Sequence, residues 1–153
     1  MALSEANAET GCMRFLPGSH KGGIRDHLEL GGDKNLLTRG QTVTGVSEED
    51  AVDIVLRPGQ CSIHHEDLIH GSHPNNGNDR RMGYAMVYLT PEVKPLVGRR
   101  AALLVRGEDK YGYWDYDPEP RYDFDPVAME AVKRGQAGYN DRDLKPPPAT
   151  AAG

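Results

Sequence analysis

One stretch, residues 57–90, restricts the fold of this chain more than any other part. It reads RPGQCSIHHEDLIHGSHPNNGNDRRMGYAMVYLT and alternates turn signals with short apolar runs. Pro58 and Gly59 occupy the positions that a type II turn prefers, and the Asn76-Gly77 pair predicts a second turn. The runs around these turns predict strands at 61–65, 68–72 and 81–90, the last apolar enough to be central in a sheet. Short strands joined by tight turns predict an antiparallel β fold.

The rest of the chain extends this pattern. Residues 21–40 contain five glycines and no sustained period, which predicts a long loop with one helical turn near His27–Leu30. Further strands are predicted at Cys12–Leu16, Gln41–Val46 and Val52–Leu56, the last mostly buried, and Ala101–Val105 is predicted as a strand or a short helix. Residues 107–126 are aromatic and acidic without a period, which predicts an irregular segment.

A single helix is predicted, near the C-terminal end. Asp125 suits the N-cap, and Pro126 suits the first helical position. We expect the helix to continue through Val127–Arg134 and to end at Gly135. The final residues, DRDLKPPPATAAG, predict disorder.

Composition excludes several classes of function. The 153 residues are enough for one domain, and a 37% hydrophobic content with 18 glycines and 11 prolines favours a turn-rich β architecture. A formal net charge of -5 with scattered acidic residues argues against binding to nucleic acid or to an anionic membrane. No apolar segment is long enough to span a bilayer, and no secretion signal is visible. We therefore expect a soluble, cytoplasmic protein.

The two cysteines, Cys12 and Cys61, lie far apart in the sequence and form no CxxC motif. This spacing argues against a zinc ribbon or a redox motif, and two cysteines are too few for a disulfide scaffold. We expect both to be small buried apolar residues.

His70 is the histidine with the most informative neighbours. Taken alone, a histidine that follows an apolar pair at a strand end is more often bonded to a backbone carbonyl than to a metal. Arg81 lies eleven residues further on, across the Asn-Gly turn, so pairing of the two strands would direct both side chains to one interior. A histidine on iron beside an arginine suits a dicarboxylate cosubstrate, and Ser72 adds a hydroxyl donor.

Three segments of the chain together resemble one enzyme family. HGSHPNNGNDRR resembles the distal-histidine motif of the phytanoyl-CoA dioxygenase family. GCMRFLPGSHKGG resembles the Asn-Gly-Cys-Leu and Pro-Gly-Ser-His segment of that family, with Thr10 in place of the usual asparagine. LLVRGEDKYGYWDYDPEPRYDFDP resembles the tail of bacterial and fungal members. The resemblance extends from about Ala2 to about Ala137, with its two motifs in the family's order.

The resemblance implies a double-stranded β-helix, or cupin-like jelly roll, incomplete at its N-terminus, in an oxygenase that uses Fe(II), O₂ and 2-oxoglutarate. In that family a His-x-Asp pair and a distal histidine hold the iron. Carried onto this sequence, His70 is the distal iron ligand, and Arg81 and Ser72 bind the distal carboxylate of 2-oxoglutarate. Structural positions of the motifs are matched by Asn75, Pro17 and Gly18.

The sequence departs from the family at the His-x-Asp pair, which in the family precedes the Pro-Gly-Ser-His segment. The match present here, His65-Glu66-Asp67, is not assigned to iron, because three ligands within six residues converge poorly on one metal. We therefore expect a C-terminal portion of a dioxygenase, with weak iron binding and no turnover in isolation. The alternative is a non-catalytic cupin-like module for binding or assembly. A third, weaker hypothesis is a zinc protein that uses the histidines between His64 and His73.

Domain boundaries and the remaining histidines complete the predictions. We divide the chain into a partial oxygenase core of residues 1–118, an extension of residues 119–140 with the short helix, and a disordered tail of residues 141–153. A partial jelly roll leaves strand edges unpaired, so we expect self-association.

His20 is predicted to be a structural turn residue, and His27 and His73 to be solvated. His64 and His65 are predicted to lie on alternate faces of a strand, one of them near the pocket.

Overall fold

The computed structural model describes residues 1–29, 41–96 and 100–140. They form short strands, one α-helix and one 3-10 helix at Ser19–Gly22, which confirms the mainly β prediction. The strands are β1 (Met13–Phe15), β2 (His27–Glu29), β3 (Gln41–Val43), β4 (Val52–Ile54), β5 (His70–Ser72), β6 (Arg100–Ala102) and β7 (Trp114–Tyr116), and the helix is α1 (Pro126–Asn140). Within these ranges the strands pair as three small sheets, so the complete double-stranded β-helix stays a prediction.

Two compact units make up the chain, Met1–Val87 and Tyr88–Gly153. The predicted boundary after residue 118 falls inside the second unit, and the predicted tail of residues 141–153 lies outside the described residues. Among the residues described, no helix has the length and apolar character that a membrane crossing requires.

The first unit is built on a three-stranded antiparallel sheet in the order β4-β1-β5. Arg14, in the middle of β1, lies opposite Asp53 of β4 and Gly71 of β5. Phe15 lies opposite His70. Side chains alternate along a strand, so Arg14 projects from one face of the sheet, and Phe15 and His70 project from the other.

The first residues of the chain are part of this unit and not a loose connector. Ala2 forms an antiparallel bridge with Gly83, and Ala6 forms another with Leu56. The amide of Gly59 also donates to the carbonyl of Ala2 at 2.8 Å. Ala2 and Ala6 are both buried, so the segment contributes to the small apolar core of the unit.

The turn predicted at residues 57–60 is confirmed, but the hairpin predicted around it is wrong. Gly59 has a φ of 85°, and the amide of Gln60 donates to the carbonyl of Arg57 at 3.0 Å. Residues 61–65 form no strand, and β4 pairs with β1 instead. Val52 of β4 is 50% exposed, so that strand is not mostly buried as predicted. Local pattern and turn chemistry indicate a strand, but its partner is decided by tertiary packing.

The stretch of residues 81–90 differs most from its prediction. It was expected to be a central strand, yet it forms a single bridge, at Gly83, and no strand. Val87 is 79% exposed and Tyr84 is 56% exposed. The prediction is wrong because an apolar run signals burial against partner strands, and those partners are not supplied by the described residues.

A second sheet in the first unit contains β2 and β3, with His27 opposite Val43. The helical turn predicted near His27–Leu30 is therefore wrong for His27–Glu29, which is extended. The strand predicted at Gln41–Val46 is confirmed over Gln41–Val43. The remainder of the predicted loop, residues 30–40, lies outside the described residues.

The second unit contains a parallel pair, β6 and β7, in which Ala101 lies opposite Asp115. The strand alternative for Ala101–Val105 is thus confirmed in its first residues. The irregular segment predicted at residues 107–126 is corrected, because Trp114–Tyr116 forms β7. Aromatic and acidic residues without alternation gave no strand signal there.

The helix α1 begins as predicted. The Asp125 side chain is 2% exposed, and its Oδ1 accepts a hydrogen bond from the amide of Val127 at 3.0 Å. The Arg121 guanidinium, whose Nε lies 2.8 Å from the carboxylate, and then the Val127 amide hold the pKa of Asp125 at about 2. The predicted end at Gly135 is wrong, since α1 continues past it.

The two cysteines differ in environment. Cys12 is buried at 2% exposure, as expected, whereas Cys61 is exposed, which corrects the prediction that both are buried. Burial raises the pKa of the Cys12 thiol, and the nearby Asp53 carboxylate raises it further. Cys12 is therefore a protonated packing residue next to β1.

Candidate functional site

His70 begins β5 and projects from the same face of the sheet as Phe15. Its Nδ1 lies 2.7 Å from the carbonyl oxygen of Leu68. A carbonyl oxygen only accepts, so Nδ1 carries a proton, and in the corresponding neutral tautomer the lone pair lies on Nε2. A metal-ligating histidine commonly has this arrangement, in which the backbone fixes the tautomer and the ring orientation.

His64 is the second imidazole on this face. Its ring centroid lies 4.5 Å from that of Phe15 and 5.3 Å from that of His70. Partial burial lowers the pKa of His64, and the proximity of His70 lowers it further. The three rings form an aromatic cluster around His70. The sequence placed either His64 or His65 near the pocket, and the structure brings His64 to His70.

The Pro-Gly-Ser-His segment is attached to the backbone immediately before His70. Gly18 has a φ of 77°, in the left-handed region that favours glycine, which lets the chain turn after Pro17. The amide of Ile69 donates to the hydroxyl of Ser19 at 2.8 Å. The amide of Leu16 donates to the carbonyl of Ile69 at 3.0 Å. These bonds fix the entry of the chain into β5.

The local His65-Glu66-Asp67 sequence forms a tight turn. The amide of Asp67 donates to Nδ1 of His65 at 3.2 Å, and the amide of Leu68 donates to the carbonyl of His65 at 3.1 Å. The His65 ring lies 5.7 Å from that of His20 and not beside His70. Over the described parts of the chain, no three side chains of His, Cys, Asp or Glu are grouped to hold a metal.

Ser72 ends β5 and lies opposite Met13. Arg81 lies close enough to Cys12, the residue before Met13, to lower the pKa of that thiol, in opposition to burial. The hairpin predicted to join His70 to Arg81 is wrong, because β5 pairs with β1. Ser72 thus lies beside the start of β1, while no contact between Arg81 and His70 is found within the described ranges.

The guanidinium of Arg81 has neither a hydrogen bond nor an ion pair with any side chain or backbone group of the described residues. Arg14 is the opposite case. Its Nε donates to Asp53 at 3.0 Å and its Nη1 donates to Glu48 at 2.9 Å. Nη1 also lies 2.8 Å from Nε2 of His73, which accepts because a guanidinium can only donate.

Asn75 holds the turn that leads from β5 towards Arg81. Its Oδ1 accepts from the amide of Gly77 at 2.9 Å, and its Nδ2 donates to the carbonyl of Asp79 at 2.8 Å. These are the contacts of an Asx turn, in which a short amide side chain replaces backbone partners. The amide of Asn76 also donates to the carbonyl of Glu9 at 2.9 Å, which ties the turn to the first residues.

Three residues near the site were missed by sequence reasoning. Gly11 has a φ of 71°, and a Cβ built on it would lie 2.5 Å from the carbonyl oxygen of His73. Gly11 could have been found from the sequence, because it belongs to the Gly-Cys pair of the GCMRFLPGSHKGG segment that resembles the family motif. Arg14 gave no signal, because its partners are remote in sequence. Ser4 lies in a segment without any period, and its hydroxyl contacts the residues on either side of Arg81.

An open cavity of about 550 Å³ lies on the side of the first unit where the N-terminal segment meets the 77–82 segment. Its lining includes Ser4, Glu5, Asn7, Glu9, Thr10, Asn78, Asp79, Arg80 and Met82. The lining mixes one arginine with several carboxylates and amides, so the cavity is polar on the side next to the Arg81 backbone.

Comparison with known proteins identifies the family. The phytanoyl-CoA dioxygenase (PhyH) family model matches residues 1–83. The chain is 31% identical over 98 residues to a probable alpha-ketoglutarate-dependent hypophosphite dioxygenase of Stutzerimonas stutzeri, covering 63% of this chain and 34% of that protein. It is 33% identical over 86 residues to a phytanoyl-CoA dioxygenase of Arabidopsis thaliana, covering 56% of this chain and 30% of that protein. The chain thus matches about a third of the length of these relatives.

Solved structures of a non-heme monooxygenase are also similar to this chain. The apo form of ThoJ, a non-heme monooxygenase, superposes with a TM-score of 0.75 at 35% identity over 90% of this chain and 48% of the ThoJ chain. The nickel complex of ThoJ superposes with a TM-score of 0.70 at 32% identity, over 94% of this chain and 49% of the ThoJ chain. The family model covers more than half of the 153 residues and includes every residue of the candidate site. The chain belongs to the phytanoyl-CoA dioxygenase family.

Proposed function

We propose that this chain carries one metal ligand and the 2-oxoglutarate carboxylate site of an Fe(II)- and 2-oxoglutarate-dependent dioxygenase that hydroxylates a small molecule. The observation that supports this most directly is the hydrogen bond between His70 Nδ1 and the Leu68 carbonyl at 2.7 Å. It leaves Nε2 available as a donor to a metal. The histidine stands in the motif position that the family uses for iron.

The cosubstrate part of the proposal depends on Arg81 and Ser72. The guanidinium of Arg81 is not committed to any partner among the described residues, whereas that of Arg14 has several. A planar guanidinium binds a carboxylate through two parallel hydrogen bonds, which gives both affinity and orientation. Ser72, opposite Met13 at the start of β1, is proposed as a second, hydroxyl donor to the same carboxylate.

The donor set fits one position of a facial triad. His70 presents an imidazole, a suitable ligand type for Fe(II), and the aromatic cluster with Phe15 and His64 restricts its ring. The described residues do not complete a three-ligand group, so the proposal assigns His70 to one coordination position and Arg81 to orienting the cosubstrate. When bound, iron and 2-oxoglutarate would together activate O₂, the oxidant for hydroxylation.

The family relatives do not share one substrate by name. One is named for hypophosphite and the other for phytanoyl-CoA, so the substrate proposed for this chain is limited to a small molecule. Pockets on one fold take different substrates, whereas the cosubstrate is common to the reaction. A test of function therefore begins with 2-oxoglutarate.

Calorimetric titration of the chain with 2-oxoglutarate and with 2-oxobutyrate tests the carboxylate site. The second ligand keeps the keto-acid end and lacks the distal carboxylate. We expect 2-oxoglutarate to bind at least tenfold more tightly, and Arg81→Gln to remove that preference, since a bidentate charge-assisted pair contributes about 1.5–3 kcal/mol. Arg57→Gln is the matched control, because Arg57 is exposed and its hydrogen bonds with the described residues all involve its backbone. An unchanged preference in Arg81→Gln contradicts the assignment.

Anaerobic titration with Fe(II) in the presence of 2-oxoglutarate tests the metal ligand. We expect weak binding that is lost in His70→Ala and kept in His27→Ala, because His27 lies in β2, outside the cluster around His70. A strong visible band that survives His70→Ala would show that another group binds the metal. Metal binding that prefers Zn(II) and is independent of Arg81 would favour a zinc protein instead.

A further inference from the structure

We propose that Ser4 is a positioning residue for Arg81, and that its hydroxyl sets the place from which the guanidinium reaches the distal carboxylate of 2-oxoglutarate. The inference rests on the proposed function of Arg81. It assigns a role to a residue near the start of the chain that has no chemistry of its own in the reaction.

The Ser4 hydroxyl forms hydrogen bonds with the backbone on both sides of Arg81. The Ser4 hydroxyl donates to the carbonyl oxygen of Arg80 at 2.8 Å and accepts from the amide of Met82 at 2.7 Å. These two groups belong to the residues immediately before and after Arg81. One side chain therefore fixes the backbone on both sides of the residue that carries the guanidinium.

Backbone bonds support the same arrangement. The amides of Leu3 and Ser4 donate to the carbonyl of Met82 at 2.9 and 3.3 Å. Ser4 thus uses its amide and its hydroxyl on the residues that flank Arg81, and uses the hydroxyl both as donor and as acceptor. A hydroxyl is suited to this bridge because it donates one bond and accepts others.

The position of the Arg81 backbone matters because no described residue holds the side chain by a hydrogen bond or an ion pair. Arg81 makes no side-chain hydrogen bond or ion pair with the described residues, so its reach depends on where its Cα is held. A long flexible side chain loses rotamer freedom on binding a ligand, and this loss is smaller when the protein holds its base in place. An anchor displaced by a fraction of an ångström binds a carboxylate less well in both of its hydrogen bonds.

The test uses the ligand preference of the full chain. We measure the ratio of the dissociation constants for 2-oxobutyrate and 2-oxoglutarate in wild type, Ser4→Ala and Ser4→Thr, at a temperature where circular dichroism shows each variant folded. We expect Ser4→Ala to lower the ratio about fivefold to tenfold, as for one or two lost hydrogen bonds. We expect Ser4→Thr to restore most of it, because the hydroxyl is kept.

The matched control is Ser47→Ala. Ser47 also accepts a hydrogen bond from a backbone amide, that of Glu49 at 3.3 Å, but it lies away from the residues that flank Arg81. We expect Ser47→Ala to leave the ligand ratio unchanged. If Ser4→Ala does not fold, Ser4→Cys replaces it, because a thiol is similar in size and a much weaker hydrogen-bonding group.

The outcomes separate this inference from the function on which it rests. If Arg81→Gln leaves the ratio unchanged, the proposed role of Arg81 fails. If Arg81→Gln removes the preference while Ser4→Ala only lowers the melting temperature and keeps the ratio, the role of Ser4 is purely structural and the inference is overturned. A lower ratio in Ser4→Ala, restored in Ser4→Thr, supports it.

Discussion

Two stretches of the first unit carry strong strand patterns and have different surroundings. Residues 12–16 contain β1, the middle strand of its sheet, in which Phe15 is 9% exposed. Residues 82–87 form one bridge and leave Val87 79% exposed. The apolar content of the second stretch is the higher of the two. The difference shows that partners, and not pattern strength, determine which stretch becomes a buried strand in this chain.

Two arginines of the first unit also differ in their partners. Arg14 lies on β1 and its guanidinium contacts Asp53, Glu48 and His73. Arg81 stands at the edge of the second stretch, and its guanidinium has none of these contacts among the described residues. An arginine that is fully paired serves the fold, whereas one held only through its backbone is available to a ligand.

The largest expected effect on stability comes from truncating Phe15, the buried side chain of β1. Phe15→Ala should lower the free energy of unfolding by about 3–4 kcal/mol, because it removes a buried ring that packs against His64 and His70. Val87→Ala should cost less than about 0.5 kcal/mol, as is usual for an exposed position. Urea unfolding followed by circular dichroism measures both, and equal losses would contradict the contrast.

A second substitution tests the close approach between β1 and the segment after β5. Gly11→Ala should cost about 3 kcal/mol, because the new Cβ meets the His73 carbonyl at 2.5 Å and the φ of 71° is strained for alanine. Gly59→Ala is the matched control, with a φ of 85° and no atom within 4 Å of the new Cβ. It should cost about 1 kcal/mol from backbone strain alone. Similar losses in the two variants would mean that the contact at Gly11 is unimportant.

A third substitution removes the paired arginine. Arg14→Gln should lower the unfolding free energy by about 1–2 kcal/mol, since partly buried charge-assisted bonds to Asp53 and Glu48 are lost. Arg57→Gln, at an exposed position, should be neutral within about 0.5 kcal/mol. If Arg14→Gln leaves the unfolding free energy unchanged, water replaces the bonds of Arg14 to Asp53 and Glu48 without loss.

The smallest effect on stability is expected where the exposed stretch receives a charge. Val87→Lys should change the unfolding free energy by less than about 0.5 kcal/mol and should reduce any self-association seen by analytical ultracentrifugation, because apolar exposed stretches favour association. Val127→Lys, exposed on α1, is the control and should leave association unchanged. If the wild type, Val87→Lys and Val127→Lys associate equally, the interface does not include Val87.

Local signals in the sequence were sufficient for features that depend on few residues. Gly59 in its turn, Asp125 at the helix start and the strand around Met13–Phe15 were all predicted, because each depends on a backbone preference or a short pattern. The family was also predicted, from motifs around Gly18 and His70. The site residues His70, Ser72 and Arg81 stay predictions until binding is measured.

Features that depend on remote partners were missed. The pairing of β4 with β1, and not with residues 61–65, is set by tertiary packing that no local pattern encodes. The bridge made by Ser4 and the pairing of Arg14 with Glu48 likewise join residues far apart in the sequence. The end of α1 beyond Gly135 shows that one glycine does not stop a helix that the rest of the segment favours.

The bridge from Ser4 has a consequence for the order in which the molecule assembles. Its two hydrogen bonds span 76 and 78 positions of the chain, so they form only after a long loop has closed. Contacts of such long range are slow to form and are made together with the rest of the topology. We therefore expect the backbone around Arg81 to reach its place late in folding. Heat or protease that opens the N-terminal segment should release this backbone, so the 2-oxoglutarate binding proposed for Arg81 should report on the integrity of the first unit.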